Sequence, residues 1–379
     1  MGPNVYLAQT QPGFEGVAWE EIRAKISAAF EPPSAGVQKS RSRAVASLRE
    51  LGRRNLPERA GITIFTAPRP ERLRLLRASD DIFALVGYVH RLPADSGALE
   101  RVSNIARQTP YIDHALATRT RLMPGTRSGH RLRYRVIARM AGENEFRRAD
   151  IARAVSRGLA ERRDHSWRPS PEEADVEFWA TLLAHEFILA IRLSDQRMRH
   201  REYKLAHLPG SLRPSVAAAL ALLSDPARED IVLDPFCGTG TVLVERAHVG
   251  RYAMLIGCDR DPDALSAAQK NVGPRYKPLE LRQWDALALP LPDHSVSKIV
   301  TNLPWGLRYG SHEENRRVYP QVLQEFHRLV SPGGKIVILT GEVRLMSDLA
   351  KRGALRPDKV LQVSILGTRA AVYISSVPP

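Results

Sequence analysis

The stretch Ile231-Val232-Leu233-Asp234-Pro235-Phe236-Cys237-Gly238-Thr239-Gly240-Thr241 decides the fold class. A β-branched and leucine run ends in an acid, passes two glycines and opens into Val242-Leu243-Val244-Glu245, the order strand, tight loop, helix. Gly238 and Gly240 can take backbone angles closed to other residues, and the free N–H groups of a helix start follow them. Such a corner can cradle a nucleotide-like ligand. Spacing narrows the choice: a G-x-x-x-x-G-K-[ST] phosphate loop requires a lysine absent here, and a dinucleotide fingerprint requires a third glycine where Leu243 stands. The acid Asp234 suits instead a ligand with a cationic amino-acid end, and S-adenosylmethionine is one. A Gly-x-Gly turn alone is equally compatible with a plain strand-helix corner.

Outward from this corner, strands and helices alternate. Strands are expected near 231–234, 254–259, 279–282, 296–302, 335–340, 359–365 and 369–375, and helices near 241–249, 261–271, 312–330 and 343–352. This is a doubly wound α/β domain, whose last two strands are joined only by Leu366-Gly367-Thr368-Arg369 and should form an antiparallel hairpin at the sheet edge. Ligands of such sheets lie beyond the carboxyl ends of the strands, where Asp234, Asp259, Asp285 and Asn302 fall. Asp259 can accept two ribose hydroxyls, and Asp285 can accept from an adenine amine with Trp284 packed nearby. Singly, each acid is as well explained as a cap or turn residue, as Asp261 and Asp263 are expected to be. Four in register favour a ligand.

The most specific feature is Thr301-Asn302-Leu303-Pro304-Trp305-Gly306. The Asn302 side-chain oxygen and the Leu303 main-chain carbonyl can accept both N–H bonds of a planar amine, which directs its lone pair toward a methyl donor. Trp305 can stack on the ring bearing that amine, and an amine in a duplex must be flipped out to reach it. The plainer alternative is an Asn-Pro turn closing a strand. Cys237 sits in the glycine loop, away from Asn302, and is expected to be a packed residue and not a nucleophile.

The chain has 379 residues, 43% of them hydrophobic, enough for two or three domains. No apolar run reaches membrane length, no signal pattern is present, and two cysteines are too few for a disulfide framework, so a cytoplasmic location is expected. No His or acid cluster has metal-ligand spacing, and no metal is expected. The net charge is +15, and all but nine of the 56 basic residues are arginine. Residues 1–229 hold 37 basic and 26 acidic side chains, against 19 and 15 in residues 230–379. The front of the chain is therefore the expected polyanion-binding part, with solvated arginine faces as the plainer reading.

That front begins as a strand at Val5–Ala8, a turn at Pro12-Gly13 and an amphipathic helix through Val17, Ile22 and Ile26. A basic arm follows (Pro32–Gly36, Lys39–Arg43), an exposed loop that either touches phosphate or is a solvated insertion. A strand at Ile62–Phe65 and a helix or strand from Asp80 complete an α+β unit of about 100 residues. Residues 101–195 have a loop at Pro124–His130, strands at Tyr134–Ala138, Val176–Leu182 and Phe187–Ile191, and a helix at about 148–162. That helix buries Ile151, Ala154, Val155 and Leu159, which turns most of Arg147, Arg148, Arg153, Arg157, Arg162 and Arg163 outward as an RNA platform. A basic linker at 196–224 brings Arg199, Arg201 and Lys204, then a helix with Ser215 near its cap.

The Asp-Pro-Phe-Cys-Gly-Thr-Gly loop and Asn-Leu-Pro-Trp-Gly motif resemble those of class I S-adenosylmethionine-dependent RNA methyltransferases fused to a THUMP domain. Pro12-Gly13-Phe14-Glu15 with Glu20-Glu21-Ile22, Arg201-Glu202-Tyr203-Lys204 and Leu212-Arg213-Pro214-Ser215 are similar too. The resemblance implies a ferredoxin-like domain (1–100), a THUMP domain (101–195) that docks the tRNA 3′ end, a linker (196–224), and a Rossmann-like methyltransferase domain (225–379). It implies N2-methylation of guanosine, with tRNA as partner; independently of it, a monomer is expected. It assigns Asn302, Leu303, Pro304 and Trp305 to catalysis and Asp234, Phe236, Gly238, Gly240, Asp259, Asp285 and Asn302 to the cofactor. Asn-Leu-Pro-aromatic-Gly is nearest to enzymes acting at position 6 of the acceptor stem, whereas those acting at position 10 more often carry Asp-Pro-Pro-Tyr. Tryptophan at 305 departs from the usual phenylalanine or tyrosine. A ribosomal RNA guanine methylase and an inactive RNA-binding factor are the competing readings.

Overall fold

The computed structural model describes residues 2–27, 47–56, 59–95, 97–127, 129, 131–306 and 310–378. The basic arm Lys39–Arg43 lies outside them, as do Ser128 and His130. The chain divides into two compact units, Met1–Gln9 with Ala18–Met198, and Thr10–Val17 with Arg199–Pro379. No helix among the described residues is long and apolar enough to cross a membrane.

The first unit is built from β1 (Val5–Thr10), α1 (Glu15–Ser27), β2 (Arg49–Leu56), β3 (Ala60–Thr66), β4 (Asp81–Val89), α2 (Gly97–Gln108), α3 (Ile112–Leu122), β5 (Arg133–Ala141), α4 (Arg148–Ala160), β6 (Arg168–Pro169), β7 (Val176–Leu183) and β8 (Glu186–Arg192). Its eight strands form one sheet in the order β2-β3-β1-β4-β8-β7-β5-β6. The segment from Asp80, open between helix and strand in sequence, is strand: Ile82, Phe83, Ala84, Leu85 and Val86 are all buried, as a central strand covered on both faces requires. Residues 49–56, for which the sequence suggests no element, form the edge strand β2. Its charges keep the edge soluble, Arg53 pairing with Glu50 and Arg54 with Glu186. Ile151, Ala154, Val155 and Leu159 are buried on α4, as their spacing predicts.

The second unit holds α5 (Gln196–His200, which straddles the boundary), α6 (Pro214–Leu223), β9 (Ile231–Asp234), α7 (Thr241–Val249), β10 (Met254–Asp259), α8 (Pro262–Val272), β11 (Leu279–Gln283), β12 (Val296–Asn302), α9 (His312–Leu329), β13 (Val330–Thr340), α10 (Val343–Lys351), β14 (Lys359–Ile365) and β15 (Thr368–Ser376). The sheet order is β11-β10-β9-β12-β13-β15-β14; β9 to β13 run parallel, and β15 is antiparallel to both β13 and β14. This is the expected doubly wound fold with its terminal hairpin. The strand order reverses between β9 and β12, so the crevice of the sheet opens between Asp234 and Asn302. Buried Leu233, Ile299, Ile336 and Ile338 pack with Tyr319, Leu323 and Phe326 of α9, which fixes that helix behind the crevice. The front motif also belongs to this unit: Ser364 N–H donates to the Pro12 carbonyl (3.0 Å) and Leu366 N–H to Gln11 Oε1 (3.0 Å), covering the edge strand β14. Ser215 is not the cap of α6; Arg213 holds that place, with Pro214 beginning the first turn.

Candidate active site

The glycine corner joins β9 to α7. Gly238 and Gly240 both take left-handed angles, φ +49° and +73°, and the turn between them closes with Gly240 N–H donating to the Cys237 carbonyl (2.8 Å). A β-carbon placed on Gly238 would meet nothing within 4 Å, so the outer side of the turn is room for a ligand. Asp259, at the end of β10, receives Gly238 N–H on Oδ2 (3.0 Å) and Asp261 N–H on Oδ1 (3.1 Å). Each carboxylate oxygen accepts more than one bond, so Asp259 retains capacity for hydroxyl donors. Asp261 caps α8 by accepting from Asp263 N–H.

Asp234 is buried at the tip of β9 and accepts from Thr301 Oγ1 (2.7 Å) and from Phe236 N–H (3.3 Å). Burial pushes its carboxyl up to about 7, with the Asp259 charge acting in the same direction. The Thr301 bond ties the end of β9 to the end of β12, which brings the glycine corner and Asn302 to one rim. Phe236 is half-buried against the core behind that rim. Asp285, beyond β11, is exposed and accepts from Leu287 N–H (3.0 Å), with Trp284 half-buried beside it. Cys237 is buried, and its thiol is held well above its ordinary range by burial and by Asp234 and Asp259, which removes it as a nucleophile.

At the motif, Leu303 N–H continues the parallel ladder by donating to the Leu339 carbonyl (3.0 Å). The Pro304 carbonyl is turned toward α9, accepting from Tyr319 OH (2.6 Å) and Asn315 Nδ2 (3.0 Å). Tyr319 OH also meets Thr340 Oγ1 (2.8 Å), and Asn315 Nδ2 also donates to Glu342 Oε1 (3.1 Å). Asn315 and Tyr319 are not part of the motif as read from sequence, and Thr301, which opens it, carries no assigned role there. The available signal is that Asn315 and Tyr319 are polar residues four apart on the buried face of α9. Trp305 Nε1–H donates to Asn302 Oδ1 (2.9 Å), and its ring lies over Gly341, where an added β-carbon would be 2.6 Å from Cε3. One face of the indole is thus occupied by the chain. Its expected stacking partner has only the other face, and Asn302 Oδ1 keeps one lone pair for an incoming amine.

The basic residues expected to hold RNA divide. Arg147, just before α4, and Arg148, Arg153 and Arg157 on it are exposed; Arg153 pairs with Asp150 and Arg157 with Glu100. Arg162 is instead folded onto the end of α2, donating to the carbonyls of Ala106, Arg107 and Thr109. Arg199 is half-buried. Arg201 and Lys204 do not present their charge to solvent. The Arg201 side chain is 8% exposed and lies 3.6 Å from Glu245, while Lys204 is buried with Nζ donating to the Leu212 carbonyl. Burial lowers the Lys204 ammonium to about 8, a cost that surface placement would avoid. The fold also gathers Asp113, Asp164 and His165 within 4.8 Å, a set no spacing marks; Asp164 is engaged by Arg162, and His165 stacks on Trp167.

Comparison with known proteins agrees with this geometry. Residues 201–371 match the RMKL-like, methyltransferase domain family UPF0020. The tRNA (guanine(6)-N2)-methyltransferase of Thermus thermophilus is 31% identical over 242 residues, covering 63% of this chain and 70% of that protein. The human tRNA (guanine(6)-N(2))-methyltransferase THUMP3 is 32% identical over 261 residues, covering 64% of this chain and 51% of that protein. The chain spans about half the length of such mammalian relatives. In three dimensions, TrmN from Thermus thermophilus superposes with a TM-score of 0.74 at 23% identity, over 98% of this chain and 99% of that one. SMU.472, a putative methyltransferase complexed with SAH, gives 0.70 at 15% identity over the full length of both chains. The rim at the switch point of the sheet and the 31% identity over 70% of the Thermus thermophilus enzyme lead to one conclusion: the chain belongs to the family of the tRNA (guanine(6)-N2)-methyltransferase of Thermus thermophilus, and its residues 201–371 match the RMKL-like methyltransferase domain.

Proposed function

We propose that the chain transfers the methyl group of S-adenosylmethionine to the exocyclic N2 amine of a guanosine in tRNA, at position 6 of the acceptor stem. The observation that carries this is the hydrogen bond from Thr301 to Asp234, which sets the glycine corner and Asn302 on one rim. The cofactor supplies an electrophilic methyl on a sulfonium. On this reading Asp234 and the backbone at Gly238 and Gly240 hold its amino-acid end, with Phe236 behind them. Asp259 takes the ribose hydroxyls and Asp285 the adenine amine. Asn302 Oδ1 and the Leu303 carbonyl accept the two N–H bonds of the guanine amine, Pro304 fixes the turn, and Trp305 both orients Asn302 and offers its open indole face to the base. The names of the Thermus and human relatives support tRNA as substrate and position 6 as target.

The same proposal assigns residues 1–100 to a ferredoxin-like domain and 101–195 to a THUMP domain. Their exposed Arg147, Arg148, Arg153 and Arg157 face the tRNA near its 3′ end. The enzyme works as a cytoplasmic monomer without a metal. The test is methylation of unmodified tRNA and ribosomal RNA transcripts with labelled cofactor, followed by nucleoside analysis and mapping. N2-methylguanosine at tRNA position 6 is expected; label only in ribosomal RNA, or at position 10, reverses the choice of substrate or site. Asn302→Ala should keep RNA binding and lose at least about 100-fold in turnover, a usual cost for removing a group that acts on the reacting amine. Unimpaired turnover would remove Asn302 from the mechanism.

A further inference from the structure

The inner side of the glycine turn is as closed as its outer side is open. A β-carbon on Gly240 would lie 3.3 Å from Val272 and 3.4 Å from Ala268, so α8 forms the floor under the turn. From that floor rises Asn271, 3% exposed. Its Nδ2 donates to the Thr239 carbonyl (2.9 Å), at the centre of the turn, and also to the Ala206 carbonyl (3.0 Å), while its Oδ1 accepts from Ala206 N–H (2.8 Å). Both polar ends of one buried amide are thus committed, each to main chain. Ala206 belongs to the segment 203–212, which is fastened at several points. Tyr203 OH donates to the buried Glu245 (2.8 Å), Lys204 Nζ donates to the Leu212 carbonyl, and Ser211 Oγ meets Thr239 Oγ1 (3.3 Å). Thr239 is therefore held from below by its carbonyl and by its hydroxyl, the latter also touching Thr241 (3.1 Å).

We infer that Asn271 is a positioning residue for the ligand turn, locking the strap 203–212 and the Thr239 carbonyl together and so fixing the left-handed backbone at Gly238 and Gly240. The inference rests on the cofactor reading above for its consequence in binding, and on the hydrogen bonds alone for its consequence in rigidity. Truncating the amide strands the Thr239 and Ala206 carbonyls and the Ala206 N–H together, at a buried site with no shared replacement. The turn then samples other shapes, and a ligand must select the competent one, which weakens apparent affinity by the populated fraction.

The test uses the full chain with Asn271→Ala, and Asn271→Asp, which keeps the acceptor for Ala206 N–H and removes the donor to the Thr239 and Ala206 carbonyls. Titration with S-adenosylmethionine should show binding weakened by about tenfold or more, and a KM for the cofactor raised to match. Turnover at saturating cofactor and affinity for tRNA should be preserved. Hydrogen exchange at Gly238, Thr239 and Gly240 should accelerate relative to β12 and β13. Wild-type affinity in both variants, or a lowered melting temperature with unchanged cofactor binding, overturns the inference and leaves Asn271 as a packing residue. Absence of cofactor binding by the unmodified chain instead defeats the functional reading, and exchange at the turn still decides the latch: faster in the variants supports it, unchanged refutes it. Should Asn271→Ala not fold, Ser211→Ala, which removes the hydroxyl contact to Thr239 and, within the same segment, the acceptor of Leu208 N–H (3.0 Å), is expected to give the same pattern at smaller amplitude, and its failure to do so counts against the latch.

Discussion

Asp234 combines burial at a strand tip with a position where a cationic ligand end is expected, and its protonation can be followed. Its carboxyl stands at about 7 against an ordinary 3.8, mainly because burial disfavours the charge. Between those two pH values the folded chain binds a proton that the unfolded chain does not, so this group makes stability fall as pH rises through that window. Asp234→Asn should flatten that slope in urea unfolding measured at pH 5 and at pH 7.5. Cofactor affinity should move oppositely. Pairing with an ammonium needs the carboxylate, so affinity should fall by up to about tenfold per unit as pH drops below 7, with proton release on binding seen in calorimetry. Affinity independent of pH from 6 to 8 would separate Asp234 from the ligand. Asp234, Gly238, Gly240, Asp259 and Asn302 were legible because strand ends of a doubly wound sheet share a rim whatever the rest of the chain does. The bond from Trp305 to Asn302 was not, since a side-chain rotamer that trades stacking area for an N–H bond leaves no mark on spacing. Nor was the burial of Arg201 and Lys204, because a basic run in sequence has no inside or outside until Arg201 and Tyr203 fold back on Glu245.

Among the elements, legibility followed how locally each is determined. Parallel strands covered on both faces read as unbroken apolar runs, as Leu255-Ile256 and Ile336-Val337-Ile338-Leu339 do, and α8 announces itself with Asp261-Pro262. β2 is the reverse case. Its alternating exposed and half-buried residues include Arg49, Glu50, Arg53 and Arg54, and only pairing with β3 makes it a strand. α3 went unseen because its short buried set, Ile112, Ala115, Leu116 and Thr118, sits beside a glycine- and arginine-rich loop that dominates the window. The pairing of α2 with α4 is also nonlocal, and it turns on Gly158. A β-carbon there would stand 2.1 Å from the Ser103 carbonyl and 3.0 Å from the Ala106 methyl, so the helices touch backbone to side-chain position. Gly158→Ala gains helix propensity yet must push a rigid carbonyl away. Overpacking of this kind usually costs about 1–3 kcal/mol, which exceeds the propensity gain of about 1 kcal/mol. A lower urea midpoint is expected, and an unchanged or raised one would mean that the helices separate without cost.

At the scale of the whole molecule, the excess of positive charge belongs to the front of the chain, and within it the exposed arginines of α4 border a cleft. Tyr134, Arg135, Arg153, Arg157, Ser170 and Pro171 are among the residues lining this cavity of about 650 Å³. The ion pairs of Arg153 with Asp150 and of Arg157 with Glu100 lie at the surface, where such pairs contribute at most about 1 kcal/mol. A phosphate can therefore compete for either guanidinium, and arginine's fork suits it. Because released counterions drive that contact, each phosphate lost should lower the slope of log affinity against log salt by about 0.7 to 0.9. Reversing both charges, Arg153→Glu with Arg157→Glu, should weaken tRNA binding at low salt and reduce the slope by nearly two. Cofactor affinity, set by residues of the other unit, should stay as it is. Filter binding across a salt series, with cofactor titration on the same protein, reads both quantities. Unchanged tRNA affinity would mark the arginine face of α4 as solvated surface, and a parallel loss of cofactor binding would trace the effect to misfolding instead of lost phosphate contacts.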